Sequence, residues 1–216
     1  MHVFISLILQ SGPSFHGVSH REASSGCDIS LETEIWIQGE EKGGGEYNRT
    51  GSQISKLGEF YAECIRDQGI EANCLIGISD REIPLVIATS MTLFNRYGID
   101  SSYCVDYDMD DEALLSHEMT LITDAFTSGT TICSALERIR EKTGKYPSHI
   151  VVCVDRMERS EKSSFSAKCE IENRYGVQIH PIVNAEDIIK AAESGVITVG
   201  EHLKDLKNYV QRYRGN

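Results

Sequence analysis

The chain has 216 residues, enough for one domain with a sizeable core. A hydrophobic share of 40% and a charged share of 25% are those of an ordinary globular protein, not of a disordered or collagenous one. A net charge of -12 and a pI of about 5.0 argue against nonspecific binding to nucleic acid or an anionic membrane, though not against one local phosphate pocket.

Residues 1–50 carry the weakest pattern. Val3–Leu9 is apolar but short, with no basic residue before it and no clear cleavage site, so it reads as chain rather than as a signal peptide. Leu31–Gln38 alternates like a strand, and the Gly-, Ser- and Glu-rich stretches around it read as loops. From residue 54 helices and strands alternate. Ile54–Gln68 spaces Leu57, Phe60, Tyr61, Cys64 and Ile65 as one helical stripe ended by Gly69. Cys74–Ile78 reads as a buried strand, and Pro84–Tyr97 as a helix with Leu85, Ile87, Ala88, Met91 and Leu93 available to the core. Ser102–Val105 is a further strand, followed by the acidic stretch Asp106–Glu118. His149–Val154 is a buried strand and Phe165–Tyr175 a helix closed by Gly176. Val177–Val183 is a strand that Pro181 assigns to a sheet edge. Asn184 caps a helix over Ala185–Glu193, and Gly200–Arg214 is a last helix with Leu203, Leu206 and Val210 inward. This alternation predicts an α/β fold, mostly parallel, with helices on both faces. No run is long enough to cross a membrane. Seven scattered cysteines without a C-x-x-C pair point to reduced thiols in a cytoplasmic protein.

Met119–Arg140 organises the rest. Leu121 and Ile122 close an apolar run, with Asp124 placed at the strand end. Thr127-Ser128-Gly129-Thr130-Thr131 is a small hydroxyl-rich turn, and Ile132–Arg140 has helical spacing. Strand, small turn and helix aim backbone N–H groups and a positive helix end at one point, which favours a phosphate. An ordinary connection with a hydroxyl N-cap fits the same pattern.

The segment resembles the motif of phosphoribosyltransferases that use phosphoribosyl pyrophosphate: four apolar residues, two acids, two apolar residues, then Thr-x-Gly-Thr-Thr. Leu57–Glu63, Ile83–Leu85, Asp155–Arg159 and Ile171–Gly176 resemble orotate phosphoribosyltransferase in the same order. The resemblance runs from about Leu57 to the C-terminus. It implies the type I phosphoribosyltransferase fold, with a small divergent hood over residues 1–55 and a core over 56–216. It further implies 5′-phosphate binding by Thr127, Ser128, Gly129, Thr130 and Thr131, a ribose and catalytic role for Asp124, and pyrophosphate contact by Arg81. Recognition of the orotate carboxylate falls to Arg156, whose other reading is an ion pair with Asp155 or Glu158. Mg2+ is the implied cofactor of an active enzyme, with no dedicated metal ligands assigned. The implied partners are phosphoribosyl pyrophosphate, orotate or orotidine 5′-monophosphate, and a second subunit, either a copy of this chain or an active paralogue.

Departures from the family pattern are as informative. Thr123 replaces the first acid of the motif, Gln10 the lysine of the hood, and Glu82 the glycine of the pyrophosphate turn. The family's cationic loop corresponds to the acidic Asp106–Glu118, and no Lys or Arg occurs between Arg96 and Arg138. Asp108, Asp110 and Asp111 fit a Mg2+ ion, or else a plain solvated acidic loop. Together these changes predict orotate phosphoribosyltransferase chemistry with turnover reduced or lost, or a non-catalytic nucleotide-binding subunit.

Overall fold

The computed structural model describes residues 50–79, 82–105, 118–161, 163–197 and 202–215. The hood, Gln10, Arg81 and the loop aspartates Asp108, Asp110 and Asp111 lie outside these residues.

The chain begins its described course at helix α1 (Gly51–Asp67), then β1 (Cys74–Gly77), α2 (Ile83–Tyr97), β2 (Ser102–Val105), β3 (Met119–Phe126), α3 (Thr130–Thr143) and β4 (His149–Asp155). α4 (Ala167–Tyr175), β5 (Gln178–Asn184), α5 (Ala185–Glu193) and α6 (His202–Tyr213) complete it. The five strands form one parallel sheet in the order β2-β1-β3-β4-β5. Parallel neighbours need helical crossovers, and these cover both faces. On one face Ile76, Leu121, Ile150, Val152 and Ile179 pack with Ile132, Leu136 and Ile139 of α3 and Ile171 of α4. On the other, Leu75, Ile122 and Val151 pack with Tyr61 and Ile65 of α1 and Val86 and Leu93 of α2. β5 is an edge strand, where Pro181 removes no needed donor.

Several boundaries differ from the sequence reading. α1 starts at Gly51 because Thr50 and Gln53 form a reciprocal capping box. α3 starts at Thr130, two residues before its apolar stripe, and runs on to the left-handed Gly144. β3 continues to Phe126, so Asp124 lies inside the strand rather than at its end. α2 is also rotated from expectation. Leu85, Val86, Thr89 and Leu93 face inward, and Met91 is 58% exposed, because the buried stripe runs by four-residue steps from Leu85 through Thr89 to Leu93 and position 91 lies on the other side of the helix. The six described cysteines are free thiols, with Cys74 Sγ and Cys104 Sγ 4.0 Å apart on neighbouring strands. Among the described residues no helix is long and apolar enough to cross a membrane.

At the opposite end of the sheet from the strand C-termini, His149 Nδ1 faces His180 Nε2 at 3.1 Å. Burial, and then the facing His149, hold the His180 imidazole below its ordinary value. The unfolded chain therefore takes up this proton first as pH falls, and stability is lost from the ordinary histidine value downward. Urea midpoints followed from about pH 7.5 to about pH 5.5 are expected to fall in the wild type and to fall less in His180→Gln. Equal slopes would show that the pair is already compensated.

Candidate active site

Chain direction across the sheet reverses between β1 and β3: β2 lies on one side of them, β4 and β5 on the other. Ligands in parallel α/β sheets bind outside the strand C-termini at such a switch point. Of the residues singled out in the sequence, the described ones, Asp124, Thr127–Thr131 and Arg156, fall at or beside this end.

The turn after β3 is built from the packing upward. Gly129 holds φ at 81°, in the left-handed region, and starts α3 as its N-cap. A Cβ here would sit 2.3 Å from Ile171 Cδ1 of α4. The glycine is thus required both by backbone angle and by the approach of α4. No side chain caps α3, so the hydroxyl N-cap allowed by the sequence is not what this turn uses. The first-turn N–H groups point outward with the helix dipole behind them. Thr130 and Thr131 are exposed, and Ser128 Oγ lies 3.3 Å from Thr130 Oγ1. Ser128 Oγ also lies 3.4 Å from Glu161 Oε1. Glu161 carried no signal in the sequence, being one more polar residue in a loop 33 positions away.

Asp124 is half-buried and accepts the Ala125 N–H at 2.7 Å through Oδ1. Thr123 beside it is buried; its carbonyl accepts the Tyr61 hydroxyl at 2.7 Å and its own hydroxyl reaches Glu82 Oε1 at 3.4 Å. Glu82 is only 6% exposed, and Ser79 Oγ donates to its Oε2 at 2.5 Å. Burial pushes the Glu82 carboxyl upward, and the charge of Asp124 adds to the rise. At Gly77 an added Cβ would lie 3.1 Å from Glu82 Cβ, so this side chain already fills the space at the end of β1.

Arg156 follows β4 directly, and its N–H donates to the Phe126 carbonyl at 3.0 Å, which sets it next to the β3 turn. Its side chain is 19% exposed. Nε lies 3.0 Å from Glu158 Oε1, so of the two acids considered from sequence it is Glu158 that pairs with it. Asp155 instead accepts the Met157 N–H at 2.7 Å. Tyr209, on α6, also touches the guanidinium, a contact 53 residues away that nothing in the local sequence announced.

Among the described residues no group of three or more His, Cys, Asp or Glu converges as a metal site. Mg2+ in sites of this kind is held chiefly by substrate oxygens and water with one or two carboxylates, and the half-buried Asp124 fits that share.

No protein-family model matches the chain. An orotate phosphoribosyltransferase of Hamiltonella defensa is 32% identical over 178 residues, covering 78% of this chain and 80% of the relative. The chain belongs to the orotate phosphoribosyltransferase family. Another orotate phosphoribosyltransferase, from Clostridium acetobutylicum, is 29% identical over 182 residues, covering 76% of this chain and 81% of the relative. Among solved structures, that of the Francisella tularensis orotate phosphoribosyltransferase superposes with a TM-score of 0.69 at 22% identity, covering 99% of this chain and 98% of that one. A Leishmania donovani UMP synthase matches at 0.66 and 14% identity, covering 98% of this chain and 42% of its own. The parallel five-stranded sheet with helices on both faces is the type I phosphoribosyltransferase fold that these orotate phosphoribosyltransferases share.

Proposed function

We propose that the chain serves pyrimidine nucleotide synthesis as an orotate phosphoribosyltransferase-type protein whose turnover is reduced or lost. The reaction joins orotate to phosphoribosyl pyrophosphate, giving orotidine 5′-monophosphate and pyrophosphate. The names of the relatives support the reaction class. The observation that carries ligand binding is the uncapped start of α3, opened by a left-handed glycine and set beside Arg156. In this reading Thr127, Ser128, Gly129, Thr130 and Thr131 hold the 5′-phosphate, and Asp124 accepts from the ribose hydroxyls. Arg156 meets the base carboxylate as a planar donor, and Arg81 contacts pyrophosphate. Mg2+, shared between Asp124 and the substrate, would neutralise part of the diphosphate charge.

Reduced turnover is supported by charge. The leaving group is a polyanion, and preorganised cations at such a group are worth several kcal/mol of barrier. The stretch between Arg96 and Arg138 carries none, while Asp108, Asp110 and Asp111 add negative charge. A second reading is a non-catalytic nucleotide-binding subunit that dimerises with an active paralogue, in place of a homodimer. The buried Glu82 favours it, because a carboxylate is already seated at the end of β1. The hood over residues 1–55, the core over 56–216 and a cytoplasmic location belong to the same proposal.

A steady-state assay with orotate, phosphoribosyl pyrophosphate and Mg2+ decides between full and reduced activity. The expected result is a rate far below about 10 per second, the middle of the enzyme range. Lysines placed at Asp108 and Asp111 are expected to raise whatever rate remains. Turnover near the middle of that range in the unaltered chain would remove the reduced-activity reading.

A further inference from the structure

The Arg156 side chain is held on two sides by groups outside the motif that drew attention to it. Glu158 Oε1 lies 3.0 Å from Nε. The Tyr209 hydroxyl accepts a hydrogen bond from Nη2 and donates one to the same Glu158 Oε1. Its ring lies 5.0 Å from the guanidinium carbon, so the cation also rests on the π-face. Guanidinium, carboxylate and phenol thus close a ring in which the hydroxyl uses both its donor and an acceptor lone pair. Tyr209 is 7% exposed, and burial raises its phenol well above the ordinary range, so it stays a neutral donor. Among the described residues Nη1 has no partner, and the Arg156 side chain keeps 19% of its surface exposed.

The backbone reinforces the arrangement. Met157 takes a φ of 62°, uncommon for a residue with a side chain, and turns the chain sharply between Arg156 and Glu158. The end of the chain is stitched to this turn: Arg159 N–H donates to the Tyr213 carbonyl at 2.8 Å, and Gly215 N–H to the Met157 carbonyl at 3.2 Å. α6 therefore delivers Tyr209 at a fixed height against Arg156.

We propose that Tyr209 is a positioning residue, set by α6, that holds Arg156 with its Nη1 edge presented to the carboxylate of a pyrimidine nucleotide. This rests on the reading above that Arg156 meets the base. A long arginine side chain left free must be ordered when a ligand arrives; here the ordering is already done, and Tyr209 acts on affinity for carboxylated bases without touching the ligand.

The test is calorimetric binding of orotidine 5′-monophosphate and uridine 5′-monophosphate, which differ by the base carboxylate. Wild type is expected to prefer the carboxylated nucleotide, and Arg156→Ala to lose that preference. Tyr209→Phe keeps the ring but loses both hydrogen bonds; it is expected to reduce the preference roughly tenfold, almost entirely through the carboxylated ligand. If Tyr209→Phe weakens both ligands equally, or changes neither, the positioning role is overturned while the base site stands. If Arg156→Ala keeps the preference, or wild type shows none, the base-site reading itself falls and the positioning role with it. Should Tyr209→Phe fail to fold, Glu158→Ala removes the acceptor that closes the same ring and is read by the same ratio.

Discussion

Gly129→Val is expected to be the most damaging single change at the turn after β3. Any Cβ at φ 81° pays a steric cost of roughly 1–2 kcal/mol. The new atoms also run into Ile171, whose Cδ1 lies 2.3 Å from the position of the first of them. Ile171 is buried and cannot swing into solvent, so overpacking adds about 1–3 kcal/mol. A loss of roughly 2–5 kcal/mol is expected, read as a lower urea midpoint at unchanged slope. Phosphate affinity should fall with it, because α4 and the start of α3 must separate. A variant as stable as wild type would show that Ile171 repacks freely and that the turn is not set by this contact.

Nucleotide monophosphate is expected to bind more tightly than phosphoribosyl pyrophosphate, and Glu82→Gly to narrow the difference. Glu82 fills the end of β1 and engages two hydroxyls, those of Ser79 and Thr123. A diphosphate entering there meets a buried carboxylate with Asp124 nearby, whereas a monophosphate held at the α3 turn does not. Calorimetry with Mg2+ is expected to give orotidine 5′-monophosphate at least a tenfold advantage, about 1.4 kcal/mol. In Glu82→Gly the diphosphate should gain severalfold and the monophosphate change little. Tighter binding of phosphoribosyl pyrophosphate by tenfold in the unaltered chain would overturn this account of the crevice.

The sheet was largely readable before the structure because buried parallel strands are written as unbroken apolar runs, as in His149–Asp155. Helix ends were readable where a local rule marks them: Asn184 caps α5, and the left-handed Gly176 closes α4. The end of β3 was not, since Thr123 and Asp124 interrupt the apolar run as the strand enters the crevice. Polar residues within a buried strand break the apolar run, so periodicity misses them. Arg156 could be found from its motif. Its companions could not: Tyr209 reaches it only through the packing of α6, and Glu161 reaches Ser128 only through a loop. Local pattern reports which side chains are buried together along one element, and it is silent on contacts made across several.

The free thiols, six of them among the described residues, carry a practical consequence for every measurement that opens the chain. While folded, Cys153 and Cys64 are kept inert by burial, their pKa values pushed up to about 12 and about 11. Once unfolded they revert to ordinary reactivity, and air will link them in pairings the native chain never makes. Melting curves recorded without a reductant would then track a chemical rate, with a midpoint that moves with the speed of heating.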